Sequence, residues 1–274
     1  MRANPSVRYV NHLGREFDFS ARGVYARPES LRDWSLSHSV MNGRVASYEA
    51  DERSLDVPVA LVGDVRAAVD ELVSVCRADT AACVPGRLYD GEWYTECFLE
   101  GCRPRLWWLS DGAQERTLSF YSPDPTWYRD STTLLVARAA NGGLGHPHGY
   151  PHGYGSSGGL ESVACSSDVP CAVRVEVRGP ADSPVVTVGG NAYGAAVAVP
   201  AGWTLSIDGR SAKAELTSAD GMSVDALDAT PDAPPGSGSY AFERIAPGVH
   251  WASRNGPFEA SVTVYEEGVE RSWS

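Results

Sequence analysis

One stretch of this chain has a helical hydrophobic period, and nearly all the rest alternates. From Asp64 the run DVRAAVDELVSVCRAD places Val65, Ala68, Val69, Leu72, Val73 and Cys76 at i, i+3, i+4, i+7, i+8 and i+11, a single apolar stripe along an amphipathic helix. Asp64 stands at the N-cap position, where its carboxylate accepts an orphan backbone N–H of the first turn. The pattern predicts a helix over about 64–78 that packs by its stripe against another element.

Elsewhere apolar and polar residues alternate and break at short intervals at Gly, Pro, Asn or Asp, as in VRYVNHLGREFDFS, TLLVARAANGG, AVRVEVRGPAD, PVVTVGGN and EASVTVYEEG. Period two with frequent turns predicts antiparallel strands buried on one face, and strands this short and numerous pack as sandwiches or small barrels. Ile207-Asp208-Gly209-Arg210, followed by Ala212-Lys213-Ala214-Glu215-Leu216, predicts a hairpin turned at Asp-Gly. The aromatic pairs Trp93-Tyr94 and Trp107-Trp108 bracket Cys97 to Cys102 and precede Thr117 to Tyr121, which reads as a meander with one wet face. Adjacent Trp residues on a strand point to opposite faces, so one of Trp107 and Trp108 belongs to a core. The other suits a subunit contact or a sugar-stacking face; the plainer alternative is that loops of the same chain cover both.

Composition narrows the class of molecule. A length of 274 residues suits two domains, and 43% hydrophobic residues with eight Trp and twelve Tyr is ample for packed interiors. The formal charge of -12 argues against binding nucleic acid or anionic membranes, both of which need clustered Lys and Arg. The amino-terminal run MRANPSVRYVNHLG has no apolar core of a signal peptide, and no window resembles a membrane span. The expectation is therefore a protein made in the cytoplasm without an anchor. The cysteines fall as three close pairs, Cys76 with Cys83, Cys97 with Cys102 and Cys165 with Cys171, none of them C-x-x-C. Reduced, mostly buried thiols are predicted. Cys165 and Cys171 flank Ser-Ser-Asp-Val-Pro and are the pair most able to oxidise outside a cell.

Any metal centre or histidine-based catalysis would have to use the tract from Asn141 to Gly159, NGGLGHPHGYPHGYGSSGG, which holds half of the histidines. Zinc needs three or four converging ligands held by further partners. The tract offers His146, His148 and His152 but no Cys or acidic residue, and its prolines favour an extended course that parts His152 from the other two. An exposed loop is the preferred reading, and neither a metal nor a cofactor is expected. No G-x-S-x-G elbow or G-x-G-x-x-G loop is present. Carboxylate pairs such as Asp124 with Glu96, or Glu266 with Glu267, would serve a glycosidase only about 5–9.5 Å apart. With 35 acidic residues such pairs arise by chance, so no catalytic residue is assigned and no enzyme is expected.

The run YVNHLGREFDFSARGVYARPESLRDW, the helix opened by Gly63-Asp64, and LSFYSPDPTWYR together resemble the first domain of siphophage distal tail proteins, the Dit-like phage tail components. In the second half VRVEVRGPADSPVVTVGG, GWTLSIDGRSAKAELTSADG and YAFERIAPGVHWASRNGPFEASVTVYEEGVERSW are similar in order and spacing to that family's carboxy-terminal β-sandwich. The resemblance covers nearly the whole chain. It implies a mainly β protein of two antiparallel β-sandwich domains, the first (residues 1–130) with one packed α-helix and a long hairpin arm, the second (residues 131–274) galectin-like and including the 141–159 loop. It further implies a structural protein of a phage or prophage virion. Six copies form a ring at the tail tip, or baseplate, and join the tail tube to the host-adsorption apparatus after assembly in the host cytoplasm. Partners so implied are five further copies, the tail tube protein, the tape measure protein and the tail-tip or tail-associated protein, with a cell-surface glycan as a further candidate. The alternative is a carbohydrate-binding or receptor-binding tail module.

Candidate interface or sugar-stacking residues are Trp93, Tyr94, Trp107, Trp108, Tyr150, Tyr154, Trp203 and Trp251. The arm has no assigned place in the sequence. The 141–159 loop is expected at the surface of the second domain, so its deletion should leave the ring intact; loss of assembly, measured by light scattering, would place the loop in the interface.

Overall fold

Alternating burial organises two separate cores in the computed structural model, which describes residues 7–27, 31, 36–49, 51–107, 112–136 and 160–268. One unit runs to Arg129 and the other from Asp130 to Glu267. In chain order the first part contains β1 (Val7–Val10), β2 (Glu16–Asp18), β3 (Val24–Ala26), β4 (Ser37–Met41), β5 (Arg44–Glu49), β6 (Arg53–Val62), α1 (Val65–Ala82), β7 (Gly86–Asp90), β8 (Trp93–Trp107), β9 (Ala113–Ser122) and β10 (Trp127–Leu135).

All the pairings among these strands are antiparallel. In one sheet β2, β1, β7 and the first half of β8 lie side by side, with Arg8 opposite Tyr89 and Gly86 opposite Cys97. The second half of β8 pairs with β9, which continues to β6 and β3, so that Val57 faces Leu118 across the ladder. Two register shifts, between Leu99 and Gly101 and between Pro104 and Leu106, interrupt that half of β8. Bulges of this kind bend a strand and sharpen its twist. Val7, Tyr9 and Leu88 from the first sheet meet Leu55, Val57, Leu118 and Phe120 from the second, and Leu72, Val75 and Cys76 of the helix complete the core.

The helix begins as its sequence dictates, with the Asp64 carboxylate accepting the Ala67 N–H at 3.0 Å. It runs four residues beyond the predicted end, to Ala82, and stops where Cys83 turns into the left-handed region and bonds the Asp79 carbonyl. Its buried positions are Leu72, Val75, Cys76 and Asp79. Val73, placed in the apolar stripe by its spacing, is instead 42% exposed. Val65, Ala68, Val69, Leu72 and Cys76 of the predicted stripe do pack on the core, and Val75 and Asp79 join them where Val73 does not.

Asp79 has no exposed surface. Its carboxylate accepts the Tyr9 hydroxyl at 2.6 Å and the His12 backbone N–H at 2.9 Å, while the His12 ring approaches the same oxygen as the backbone bond. Asn11 donates to the Val75 carbonyl at 3.0 Å and accepts from the Leu13 and Arg15 amides. The β1–β2 turn is thus tied to the helix by polar groups that pair with one another inside the core, the arrangement under which a buried polar side chain is tolerated. A side chain at Gly86 would collide with the Asp79 carboxylate and the Tyr9 ring.

The second unit adds β11 (Glu161–Cys165), β12 (Ala172–Arg178), β13 (Ala181–Asp182), β14 (Val185–Val188), β15 (Asn191–Gly194), β16 (Ala198–Val199), β17 (Trp203–Asp208), β18 (Lys213–Ser218), β19 (Ser223–Asp225), β20 (Gly248–Arg254) and β21 (Glu259–Gly268). One sheet has the order β19-β18-β17-β12-β21, and the other β11-β20-β14-β15. Val175 lies opposite both Ile207 and Val262 in the first, and Val186 lies opposite Tyr193 in the second. These side chains fill the space between the sheets together with Val163, Val188, Leu205, Ala252 and Val264. Apolar positions at period two on both inner faces are what a sandwich requires.

The Asp-Gly hairpin is present but turns differently from the two-residue prediction. Asp208 still pairs with Lys213, so the connection has four residues, and the left-handed conformation falls at Ala212 rather than at Gly209. Gly209 serves packing: a Cβ there would stand 2.9 Å from the Val173 carbonyl oxygen.

Two measurements test these cores. Asp79→Ala strands the Tyr9 hydroxyl and the His12 amide, and should destabilise the first unit by about 3 kcal/mol in urea unfolding; a change under about 0.5 kcal/mol would show that the cluster contributes nothing. The second is alkaline. Burial, reinforced by the Asp79 bond, raises the Tyr9 hydroxyl far above its ordinary 10.0, and burial raises Tyr193 to about 12 and the Cys76 thiol to about 12. Their folded-state values exceed the unfolded ones, so their stabilisation is complete below about pH 9 and is lost as pH rises through the raised values. The unfolding free energy should fall from about pH 9 upward, by up to about 1.4 kcal/mol per pH unit for each group, and the urea midpoint with it. Tyr193→Phe should lessen the slope, whereas a midpoint flat to pH 11 would contradict the assignment.

Candidate functional site

The aromatic residues singled out by sequence do not converge. Tyr94 is in the interior, with the Tyr89 and Tyr128 rings centred 5.3 and 6.0 Å away and the Arg87 guanidinium 4.3 Å from its own ring. It presents no surface to a partner. Its neighbour Trp93 points to the other face, where it lies half-buried against the core of the first unit with the Arg129 guanidinium 5.1 Å from its ring. Trp203, on β17, is half-buried against the core of the second unit. Trp107 ends β8, but its side chain lies outside the described residues, as do Trp108, Tyr150, Tyr154 and the three loop histidines.

Trp251 is different. It sits on β20, inside its sheet, and is 62% exposed. Its outward-facing neighbours are Ser162 and Ala164 on β11, Val249 and Ser253 on β20, and Thr187 on β14. No ionisable side chain interrupts that group of residues. An indole on a neutral, hydroxyl-bearing sheet face is able to stack on an apolar ring face and offers little to a charged ligand.

The most unusual surface lies where no residue had been singled out. β4 and β5 form a two-stranded sheet of their own and pair with no other strand among the described residues. The turn between Met41 and Arg44 consists of Asn42 and Gly43, both at positive φ (54° and 75°), the geometry whose twist suits a two-residue hairpin. The Ser39 and Ser47 hydroxyls meet across the ladder at 2.7 Å, next to a register shift between Ser39 and Val40. Val40 pairs directly with Val45. These two are 59% and 50% exposed, and Met41 is 66% exposed. A two-stranded ribbon is marginal in water by itself, and a cluster of exposed aliphatic groups on it is an uncommon surface to leave in solvent. The sequence signal was Asn42-Gly43 between SHSVM and RVASYE. Its flanking strands are too short and too polar to stand out by hydrophobicity.

The carboxylates offered for glycosidase chemistry have structural partners. Asp124 accepts the Thr126 amide at 3.1 Å and the Tyr128 hydroxyl at 2.6 Å, and Glu96 pairs with Arg87. Glu266 is buried and accepts the Ser166 amide at 2.8 Å, and Glu267 pairs with Arg244 at 3.0 Å. Among the described residues no three His, Cys, Asp or Glu side chains gather in a metal-binding group. No helix among them is long and apolar enough to cross a membrane.

No protein-family model matches the sequence, and no curated protein matches it either. Solved structures do. The Dit (gp 19.1) protein of phage SPP1, described as a paradigm of the hub adsorption apparatus in phages infecting Gram-positive bacteria, aligns over 96% of this chain and 98% of its own, with a TM-score of 0.54 at 12% identity. Chains of the phage P2 baseplate in its activated conformation, with Ca or with Sr, align over 97% of this chain and 99% of theirs. Their TM-scores are 0.58 and 0.59, at 10% and 11% identity. The chain therefore has the fold of these phage hub and baseplate proteins from end to end.

Proposed function

We propose that this chain is a structural component of a phage tail tip, a distal tail protein whose copies form a hexameric ring joining the tail tube to the host-adsorption apparatus. The observation that carries the reading is the likeness to hub and baseplate chains over 96–97% of the sequence, since a partial match would leave a domain free for another task. On this reading the partners are five further copies, the tail tube and tape measure proteins and the tail-tip protein. The protein works in the virion tail after assembly in the host cytoplasm, as a structural part without catalysis or cofactor.

The β4–β5 hairpin fits the arm of such a ring. Subunits related by rotation meet through unlike surfaces, so a projecting element of one copy lies on the body of the next until the ring closes. Covering Val40, Met41 and Val45 would contribute about 1–2 kcal/mol each from apolar burial, repeated at six interfaces. In the free subunit they are already in water, so exchanging one for a charged residue costs the fold little.

Light scattering of the purified protein, alone and with the adjoining tail protein, should show a hexamer that grows with concentration. Val40→Asp and Val45→Asp should each hold the protein monomeric while shifting unfolding by less than about 1 kcal/mol. A wild-type protein monomeric under all these conditions would reject the ring, and variants that still assemble would reject the hairpin as its arm.

A second reading, a carbohydrate-binding or receptor-binding tail module, rests on Trp251 and the neutral face around it. Glycan-array binding abolished by Trp251→Ala but retained by Trp203→Ala would support it; no glycan bound by the wild type would remove it.

A further inference from the structure

We infer that a hollow on the outer face of the β17-β12-β21 sheet is a binding site for a neutral pyranose ring. Register builds its floor. Val175 and Val177 of β12 turn into the core, so Glu176 and Arg178, which alternate with them, stand on the opposite face. Ser261 lies beside Glu176, and Thr204 and Glu259 lie on either side of Arg178 in the neighbouring strands. The end of β10, next to β21, makes the wall. Leu135 belongs to the core, so Leu134 and Val136 point outward and are 66% and 55% exposed. The hollow has a volume of about 340 Å³, at the small end of ligand sites, and all of these residues belong to the second unit.

Most of this frame is fastened. Arg254 donates to the Leu135 and Val136 carbonyls at 2.6 and 2.7 Å, and the Thr132 and Thr263 hydroxyls meet at 2.9 Å, so the wall is tied to both sheets. Glu176 accepts the Ser261 hydroxyl at 3.1 Å and lies 3.7 Å from the Arg174 guanidinium. Arg178 and Glu259 are different. They stand directly opposite one another in the ladder, where unlike charges ordinarily pair. Yet neither side chain makes a hydrogen bond or an ion pair among the described residues. Between their head groups is a gap that a ligand able to donate to one and accept from the other would bridge.

The charges of the hollow select the ligand's class. Two carboxylates, Glu176 and Glu259, are matched by two guanidinium groups, Arg174 and Arg178. A ligand with net charge therefore gains little there. What the floor offers is a donor-only group beside an acceptor-only group, with the hydroxyls of Thr204 and Ser261 able to do either. Adjacent hydroxyls on a sugar ring each donate and accept, so one can bond Glu259 while its neighbour bonds Arg178. The ring's C–H face then lies on Leu134 and Val136, which removes their exposed methyl groups from water. The site does not depend on ring assembly, and it occupies the other sheet from Trp251, so its failure would leave both readings of the function untouched.

Saturation-transfer NMR on the full chain provides the test, with the methyl pyranosides of glucose, galactose, rhamnose and N-acetylglucosamine as probes. At least one should bind with a Kd of about 1–10 mM, and the transfer should be strongest to the C–H protons of one ring face. Arg178→Ala and Glu259→Gln should each weaken binding at least about ten-fold. Both residues are exposed, so Tm should move by less than about 2 °C. Thr204→Val, which removes one hydroxyl and no charge, should weaken binding as well and serves if a charge variant fails to fold. Trp251→Ala should leave binding unchanged, and glycine, a zwitterion that matches the same two charges, should not bind. No transfer to any pyranoside at about 50 mM, binding retained by the variants of the hollow, or binding lost with Trp251→Ala would overturn the inference. Glycine bound in place of the pyranosides would contradict a neutral ligand.

Discussion

Burial at every second residue is the constraint from which most of this structure follows. In β6, Leu55, Val57, Val59 and Leu61 point inward, and in β12 Val173, Val175 and Val177 do the same. A strand obeying this rule has one permitted register, because a slip of one residue would turn its apolar set to water. The two sheets of each unit close over such sets. Order within the sheets then brings together segments far apart in sequence, as where β12 lies between β17 and β21.

Three places depart from that rule. On β4 and β5 Val40, Met41 and Val45 remain in solvent although the turn between the strands is well formed. On β20 the inward Ala252 is fully buried while its neighbour Trp251 stands in water. A third departure is internal: Asp79 occupies a core position and is accommodated by the Tyr9 hydroxyl and the His12 amide. The first two suit surfaces awaiting a partner, and the third fastens the helix to the sheet beneath it.

The local signals in the sequence were strong where a residue's role depends on near neighbours. Asp64 caps the helix because its acceptor is three residues away, and the strands of the second unit follow their alternation. Long-range contacts were harder to read. Asp79 looks like an exposed helical acid, and only the approach of Tyr9 from seventy residues earlier makes it a core residue. For the same reason the buried stripe includes Val75 instead of Val73. Adjacent aromatics such as Trp93 and Tyr94 must face opposite ways, yet nothing local says that Trp93 is the one that packs against the core while Tyr94 is buried on the opposite face. Asn42-Gly43 was readable as a turn, but no pattern along the chain says that the strands it joins pair with no other strand among the described residues.

The central claim is that this lone hairpin becomes buried when the chain assembles. Hydrogen exchange at the backbone amides of β4 and β5 tests it most directly, comparing dilute monomer with assembled protein. In the monomer these amides should exchange far faster than those of β12 and β21, as expected for a ribbon outside any core. On assembly they should slow by at least about 100-fold, equivalent to roughly 2.7 kcal/mol of added protection. An assembled ring in which the hairpin amides still exchange at the monomer's rate would contradict the account.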